Sequence, residues 1–313
     1  VVKQKKVIID CDPGKDDAIA LFLSLQSASL DVTAVTTVAG NTSLENTTLN
    51  ALRLLSFAGR WDIPVIAGMS HPVMEPTPFI GTFHGPDGLG GISLPESPAK
   101  SLAVHAVDYI IGTIRQSAEK VTLIAVGPLS NIAMALSKEP DILSNIENIV
   151  VMGGAITVPG NVSPTAEFNM SVDPLAAKYV FASSAPITLV PLDATLKAKT
   201  NRAQINAIRA LKTNAGILVA DILDSYLETY HEEFGYDAAP IHDALAVAVA
   251  IDPSLVTMKD MYVDVSIEDS LTRAQTVGDV LGKWGKPTNV SVCLDVDNER
   301  FQSLLYASLA RYS

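Results

Sequence analysis

Asp10, Asp12, Asp16 and Asp17 put four carboxylates within eight residues, around a Pro13-Gly14 turn. Like charges held this close repel strongly at low effective dielectric unless a cation neutralises them or some stay protonated. With oxygen donors only, the cation suited to the cluster is calcium or magnesium rather than zinc. A competing reading makes the segment an acidic surface turn whose carboxylates cap a helix. The flanking sequence favours a site. Val7-Ile8-Ile9 reads as a buried strand, and Asp16-Asp17-Ala18-Ile19-Ala20-Leu21-Phe22 as a helix with acidic residues in its first turn. The carboxylates then stand at the carboxyl end of a strand, where open α/β sheets bind their ligands.

Similar β-branched runs at 32–38, 121–126, 149–152 and 187–190 are each followed by a turn and a helix-like stretch. This alternation predicts an α/β fold with a mostly parallel central sheet and helices on both faces. Parallel strands buried on both faces should be continuously apolar, as these are. Their polar or Gly-rich tips, at 10–17, 39–41, 127–128 and 153–154, converge on one edge. Residues 70–98, rich in Pro and Gly, read as a long loop over that edge. The C-terminal third adds helical sequence over 202–232 and 242–251 and strand-like runs at 261–265 and 290–296. No linker, low-complexity tract or internal repeat divides the chain, so residues 1–313 are expected to form one domain.

The motifs carry a family resemblance. Asp10-Cys11-Asp12-Pro13-Gly14-Lys15-Asp16-Asp17 resembles the N-terminal signature of the nucleoside hydrolases, of the inosine-uridine preferring type. Val126-Gly127-Pro128-Leu129-Ser130-Asn131 is similar to the family's mid-chain metal loop. Met152-Gly153-Gly154, with Gly160-Asn161 and Glu167-Phe168-Asn169, resembles its ribose-binding segment, and Ile241-His242-Asp243-Ala244 its late motif. Thr272-Arg273 through Asp279 resembles a further C-terminal stretch. The motifs follow the family's order. Ala244 is the visible departure, standing where many relatives have a proline that would help start the helix.

The resemblance implies a nucleoside hydrolase-like fold with a Rossmann-like core and calcium-dependent hydrolysis of the N-glycosidic bond of ribonucleosides, giving free base and ribose. It also implies a uridine/pyrimidine or inosine-uridine preference and a homodimer or homotetramer. By the same resemblance Asp12, Asp17, the backbone carbonyl of Val126 and Asp243 bind calcium, leaving positions for water and for vicinal ribose hydroxyls. Asp16 hydrogen-bonds those hydroxyls, and Asn41, Asn161, Glu167 and Asn169 complete the sugar cradle, with Phe168 in the same segment. Met152 is placed against the sugar or the reacting bond. Taken singly, Asn and Glu in a Gly-containing loop are more often turn and cap residues. His84, on the loop, and Tyr226 and Tyr230, one helical turn apart, are candidates to touch the base, ordinary helix packing being the other reading of the tyrosines.

Breaking an N-ribosidic bond builds positive charge on the sugar and requires a nucleophilic water. A ring of carboxylates suits the first task, and Asp12 is the candidate base for the second. His242, adjacent to Asp243, is the candidate acid for the departing base. The alternative for His242 is a structural hydrogen bond at a helix start.

Composition narrows the classes further. The chain has 313 residues, 48% of them apolar, which suits one sizeable core. A net charge of −12 disfavours nucleic acid and anionic membranes as partners and leaves a small ligand, here a nucleoside. Cys11 and Cys293 are the only cysteines, so there is no disulfide framework, and Cys11 is expected to pack against the sheet. No apolar run reaches about 18 residues and no signal-like cleavage region precedes the first strand, so a soluble cytoplasmic protein is expected. A haloacid-dehalogenase-like phosphatase would also place two aspartates one residue apart after an apolar strand, but Pro13-Gly14 does not continue that signature. A non-catalytic, calcium-dependent nucleoside-binding protein would keep the cradle without the chemistry. His242 and the complete acidic set weigh against it.

Overall fold

Val7, Ile8 and Ile9 are fully buried, as β-branched residues should be in a strand covered on both sides. A computed structural model of the chain describes residues 3–74, 81–268 and 271–313. Its strands are β1 (Lys5–Cys11), β2 (Leu30–Thr37), β3 (Val65–Ala67), β4 (Val121–Ala125), β5 (Ile146–Met152) and β6 (Ile187–Val190). They continue as β7 (Lys199–Asn201), β8 (Ala238–Pro240), β9 (Val256–Met261), β10 (Val263–Val265), β11 (Thr276–Gly278) and β12 (Val290–Val296). Eight strands form one sheet in the order β3-β2-β1-β4-β5-β6-β12-β9, parallel except where β9 runs against β12. The pairs β7/β8 and β10/β11 are small antiparallel sheets.

Side chains alternate across β1, so Val7, Ile9 and Cys11 enter one apolar core and Ile8 the other. The first core is closed by helices Lys15–Leu25, Leu44–Phe57, Asn214–Phe234, His242–Ile251 and Asn298–Leu309. Helices Ala106–Gln116, Ser130–Lys138 and Pro174–Ala182 close the second. The mostly parallel α/β sheet with helices on both faces is thus as the sequence predicts.

From β1 the chain winds outward through β2 to β3, then returns to β4 on the other side of β1 and winds outward through β5 and β6. Connections leaving the carboxyl ends of β1 and β4 therefore diverge and open a crevice, the usual ligand position in such sheets. Asp10 pairs with Ala125 at this point. Asp12 and Val126 follow immediately and stand together at the crevice.

Three expectations are corrected. The helical sequence over 202–232 is two helices, Arg202–Arg209 and Asn214–Phe234, separated where Lys212 takes a positive φ of 59°. Thr213 caps the second by accepting from the Gly216 N–H. The strand-like run at 261–265 is divided at Tyr262 between β9 and β10, which lie in different sheets. Asp10 does not join the other aspartates: it lies within β1, where Thr36 and Asn131 hold its carboxylate, whereas Asp12 lies past the strand's end. Of the loop at 70–98, residues 75–80 lie outside the described residues, and the remainder has no helix or strand. No helix among the described residues is long and apolar enough to cross a membrane.

Asn131 ties the crevice floor together. Its Nδ2 donates to Asp10 Oδ1 (2.8 Å) and to the Thr37 carbonyl (3.0 Å), and its Oδ1 accepts from the Met69 N–H (2.8 Å). Burial pushes Asp10 up to about 7 against the opposing hydrogen bonds from Thr36 and Asn131. Asn131→Ala takes one partner from Asp10 and from the Thr37 carbonyl, which keep Thr36 Oγ1 and the Gly68 N–H, and takes the acceptor from the Met69 N–H, and is expected to destabilise the fold by about 1–3 kcal/mol. Urea unfolding would register this as a lower midpoint at unchanged slope. An unchanged midpoint would remove Asn131 from the support of the floor.

Candidate active site

Two helix starts meet over the crevice. Asp17 caps its own helix, with Oδ2 accepting from the Gly14 N–H (2.9 Å) and Oδ1 from the Asp12 N–H (3.2 Å). Asp243 lies in the first turn of His242–Ile251, its carboxylate beside that of Asp17. Asp16, Asp17 and Asp243 each bring an oxygen within 4.8 Å of the others. Asp12 joins them through Asn41, whose Nδ2 donates to Asp17 Oδ2 (3.0 Å) and to the Asp12 carbonyl (3.1 Å). Asp12 Oδ2 accepts from the Asn41 N–H (2.7 Å), whereas Asp12 Oδ1 is buried without any hydrogen-bond partner among the described residues.

None of these four carboxylates is more than 4% exposed. Burial, reinforced by the neighbouring carboxylates, pushes Asp12 and Asp243 well above the usual carboxylate range and Asp17 up to about 7. The helix N-termini favour negative charge but are too weak to offset several carboxylates. An orphaned buried oxygen among clustered carboxylates fits a hard divalent cation, which would both neutralise the group and satisfy Asp12 Oδ1. The Val126 carbonyl accepts from Asn169 Nδ2 (2.9 Å) and keeps a second lone pair.

A cavity of about 270 Å³ opens above Asp16 and Asp243, near the small end of ligand pockets. Asn41, Val126, Met152 and Asn169 line its inner side. Asn169 Nδ2 also reaches the Met152 carbonyl (3.2 Å). Gly154, at φ 78°, turns its N–H onto Glu167 Oε2 (2.9 Å). Glu167 also accepts from the Asn169 (3.0 Å) and Met170 (3.2 Å) N–H groups, so it caps the helix Phe168–Val172 as well as lining the cavity. Asn161 is exposed at the rim beside Phe168 and accepts from the Phe168 N–H (3.0 Å). Of the residues given a role in binding or catalysis from the sequence, all lie on this cavity except Asp12 and Asp17, which are in the buried cluster beside it; Asp10 and the stretch 272–279 do not line it.

The outer wall is aromatic. Phe83 meets Tyr226 at 5.8 Å and Tyr230 at 5.0 Å, both edge-on, and Phe234 and Tyr236 extend the wall toward solvent. His84 Nδ1 accepts from the Lys15 N–H (3.0 Å), which puts the ring hydrogen on Nε2, 4.0 Å from Asp16 Oδ1. Burial holds His84 down at about 4, so it is a neutral donor stacked on Tyr226 at 5.8 Å.

His242 Nε2 is 2.6 Å from the Tyr230 hydroxyl, and its Nδ1 is 2.7 Å from Thr195 Oγ1. Burial lowers the imidazole's pKa, and Asp16 opposes this. Tyr226 packs edge-on against Tyr230 at 5.0 Å. Phe83, Phe234, Tyr236 and Thr195 escaped the sequence reading. The spacing of Tyr226, Tyr230 and Phe234 at every fourth position could have revealed Phe234; nothing local marks Thr195.

An acidic floor facing an aromatic wall is the arrangement expected of an N-ribosyl hydrolase, whose substrate gains positive charge on its sugar and carries a flat base. Residues 7–303 match the family model described as inosine-uridine preferring nucleoside hydrolase. The chain belongs to that family and hydrolyses ribonucleosides to base and ribose. It is 40% identical over 309 residues to the pyrimidine-specific ribonucleoside hydrolase RihA of Enterobacter sp. (strain 638), covering 98% of each chain. With RihA of Shewanella sp. (strain MR-4) it shares 42% identity over 311 residues, 99% of this chain and 97% of that protein. Among solved structures, the plant nucleoside hydrolase PpNRh1 superposes with a TM-score of 0.93 at 36% identity, over 98% of this chain and 99% of its own. The purine-preferring ribonucleoside hydrolase from Gardnerella vaginalis gives 0.92 at 35% identity, over 98% of both.

Proposed function

We propose that this enzyme prefers pyrimidine ribonucleosides, uridine among them, and works with calcium held by Asp12, Asp17, the Val126 carbonyl and Asp243. The observation that carries the metal assignment is the unpartnered, buried Oδ1 of Asp12 amid three further carboxylates. The base preference draws on the two RihA relatives, both named pyrimidine-specific and both more similar to this chain than the purine-preferring hydrolase. Calcium, when bound, would supply coordination positions for vicinal ribose hydroxyls and for a water.

The chain's own groups then divide the work. Asp16 accepts from the ribose hydroxyls, and His84 Nε2–H donates beside it. Asn41, Asn161, Asn169, Glu167, Phe168 and Met152 hold the sugar in place, converting much of the entropic cost of reaction into binding already made. The buried carboxylates favour the positive charge that develops as the bond from C1′ to the base nitrogen breaks. Asp12 Oδ1 accepts no hydrogen bond among the described residues and, facing the cation with one lone pair, keeps the other to take the water's proton. The electron pair leaves with the base, which receives a proton from the Tyr230 hydroxyl, and the phenolate so formed is held by the hydrogen bond from His242 Nε2–H, so that His242, the acid expected from the sequence, acts through Tyr230. Tyr226 and Phe83 pack against the base side of the cavity.

A reducing-sugar assay over a nucleoside panel tests the preference. Uridine and cytidine are expected to exceed inosine and adenosine in kcat/KM by at least about tenfold, a difference within the reach of one shaped pocket. Equal values, or faster purine nucleosides, would overturn it.

A further inference from the structure

We propose that Thr195 is a positioning residue whose hydroxyl donates to His242 Nδ1 and so frees the Tyr230 hydrogen for the departing base. This rests on the Tyr230–His242 proton delivery proposed above. Thr195 ends the short helix Leu192–Thr195 after β6 and is fully buried. Its 2.7 Å contact with His242 Nδ1 is the one hydrogen bond its hydroxyl makes among the described residues.

Counting hydrogens along the chain Thr195–His242–Tyr230 separates two arrangements. If His242 carries its hydrogen on Nδ1, Thr195 must accept, and the Thr195 hydrogen is buried with nothing to receive it. Nε2 is then bare, and at 2.6 Å the Tyr230 hydroxyl must donate to it. Tyr230 then has no hydrogen left for the cavity. If Nδ1 is bare instead, the Thr195 hydrogen goes to Nδ1, the Nε2 hydrogen to the Tyr230 oxygen, and the Tyr230 hydrogen to the cavity. Only the second arrangement leaves no buried donor unsatisfied, and buried donors are almost always satisfied. A hydroxyl remote from the sugar thus sets the polarity of the bond that matters for the leaving group. Tyr226 packs edge-on against Tyr230, and a hydrogen given by its hydroxyl to the Tyr230 oxygen leaves this count unchanged, because the phenolic oxygen has two lone pairs.

The test compares Thr195→Val, which keeps the branched shape without the hydroxyl, with Thr195→Ser, which keeps the hydroxyl. Both are assayed as full-length, calcium-loaded protein on uridine and on p-nitrophenyl riboside, whose leaving group departs without a proton. Thr195→Val is expected to lower kcat for uridine roughly ten- to hundredfold, with KM and the p-nitrophenyl riboside rate within about threefold. Thr195→Ser is expected to recover most of the uridine rate. Loss of both substrates together, a uridine kcat within about twofold of the parent in Thr195→Val, or failure of Ser to restore it would each overturn the proposal. Tyr230→Phe, run in parallel, separates the levels. A Tyr230→Phe enzyme slow on uridine beside a fully active Thr195→Val rejects the Thr195 role alone, whereas a fully active Tyr230→Phe rejects the proton delivery and the Thr195 role with it.

Discussion

Asp12→Asn is expected to lower kcat for uridine at least about a hundredfold while the protein remains folded. The replacement is nearly isosteric, and the amide oxygen can still accept from the Asn41 N–H that Asp12 Oδ2 now holds at 2.7 Å. The loss falls on the other oxygen. Asp12 Oδ1, buried and unpartnered, becomes an NH2 that can neither take a proton from water nor face a cation. Stability should not follow activity down. Burial disfavours the ionised form of Asp12, so a neutral amide removes a penalised charge rather than a stabilising one in the metal-free chain. Ribose release by the calcium-loaded variant, with circular dichroism as the control for folding, checks both halves. Near-normal turnover in a folded, calcium-loaded Asp12→Asn would reject Asp12 as the base.

The part of this site that could be read from sequence is the part that is local. Asp12, Asp16 and Asp17 lie between one strand and the helix it feeds, so a strand-turn-helix reading places them without long-range information. Asp10 shows the limit of that reading. Its distance from Asp12 suggests a shared site, but Asp10 is still within β1, where Asn131 and Thr36 receive it, and Asp12 is past the strand's end. Asp243 and Val126 were reached through resemblance, because only the order of strands in the sheet brings residues so distant in sequence to one crevice.

The aromatic wall and Thr195 depend wholly on packing between distant segments. Phe83 comes from an irregular loop, Tyr236 from the turn after Asn214–Phe234, and Thr195 from the turn after β6. The break at 211–213 was legible in principle, since Thr213 is a good N-cap before a helical run. The break at Tyr262 was not. β9 and β10 follow one another with the same alternation, and which sheet each joins is decided by partners far along the chain, β12 for one and β11 for the other.

Removing the divalent cation is expected to abolish turnover, and the physical reason lies in what replaces it. Without an ion, protons must neutralise Asp12, Asp17 and Asp243, and burial already raises all three toward or beyond neutrality. Such a cluster can stay folded as neutral carboxyl groups, with Asp17 and Asp243 side by side. It no longer presents either the oxygen ring for vicinal hydroxyls or a carboxylate free to accept a proton from water. The decisive measurement is ribose release from uridine by protein stripped of metal, verified by elemental analysis, and then titrated with calcium. Turnover is expected to be absent at the start and to return in proportion to the calcium bound. Full turnover by the verified metal-free protein would contradict a cation held by Asp12, Asp17, Val126 and Asp243 as the centre of this enzyme's chemistry.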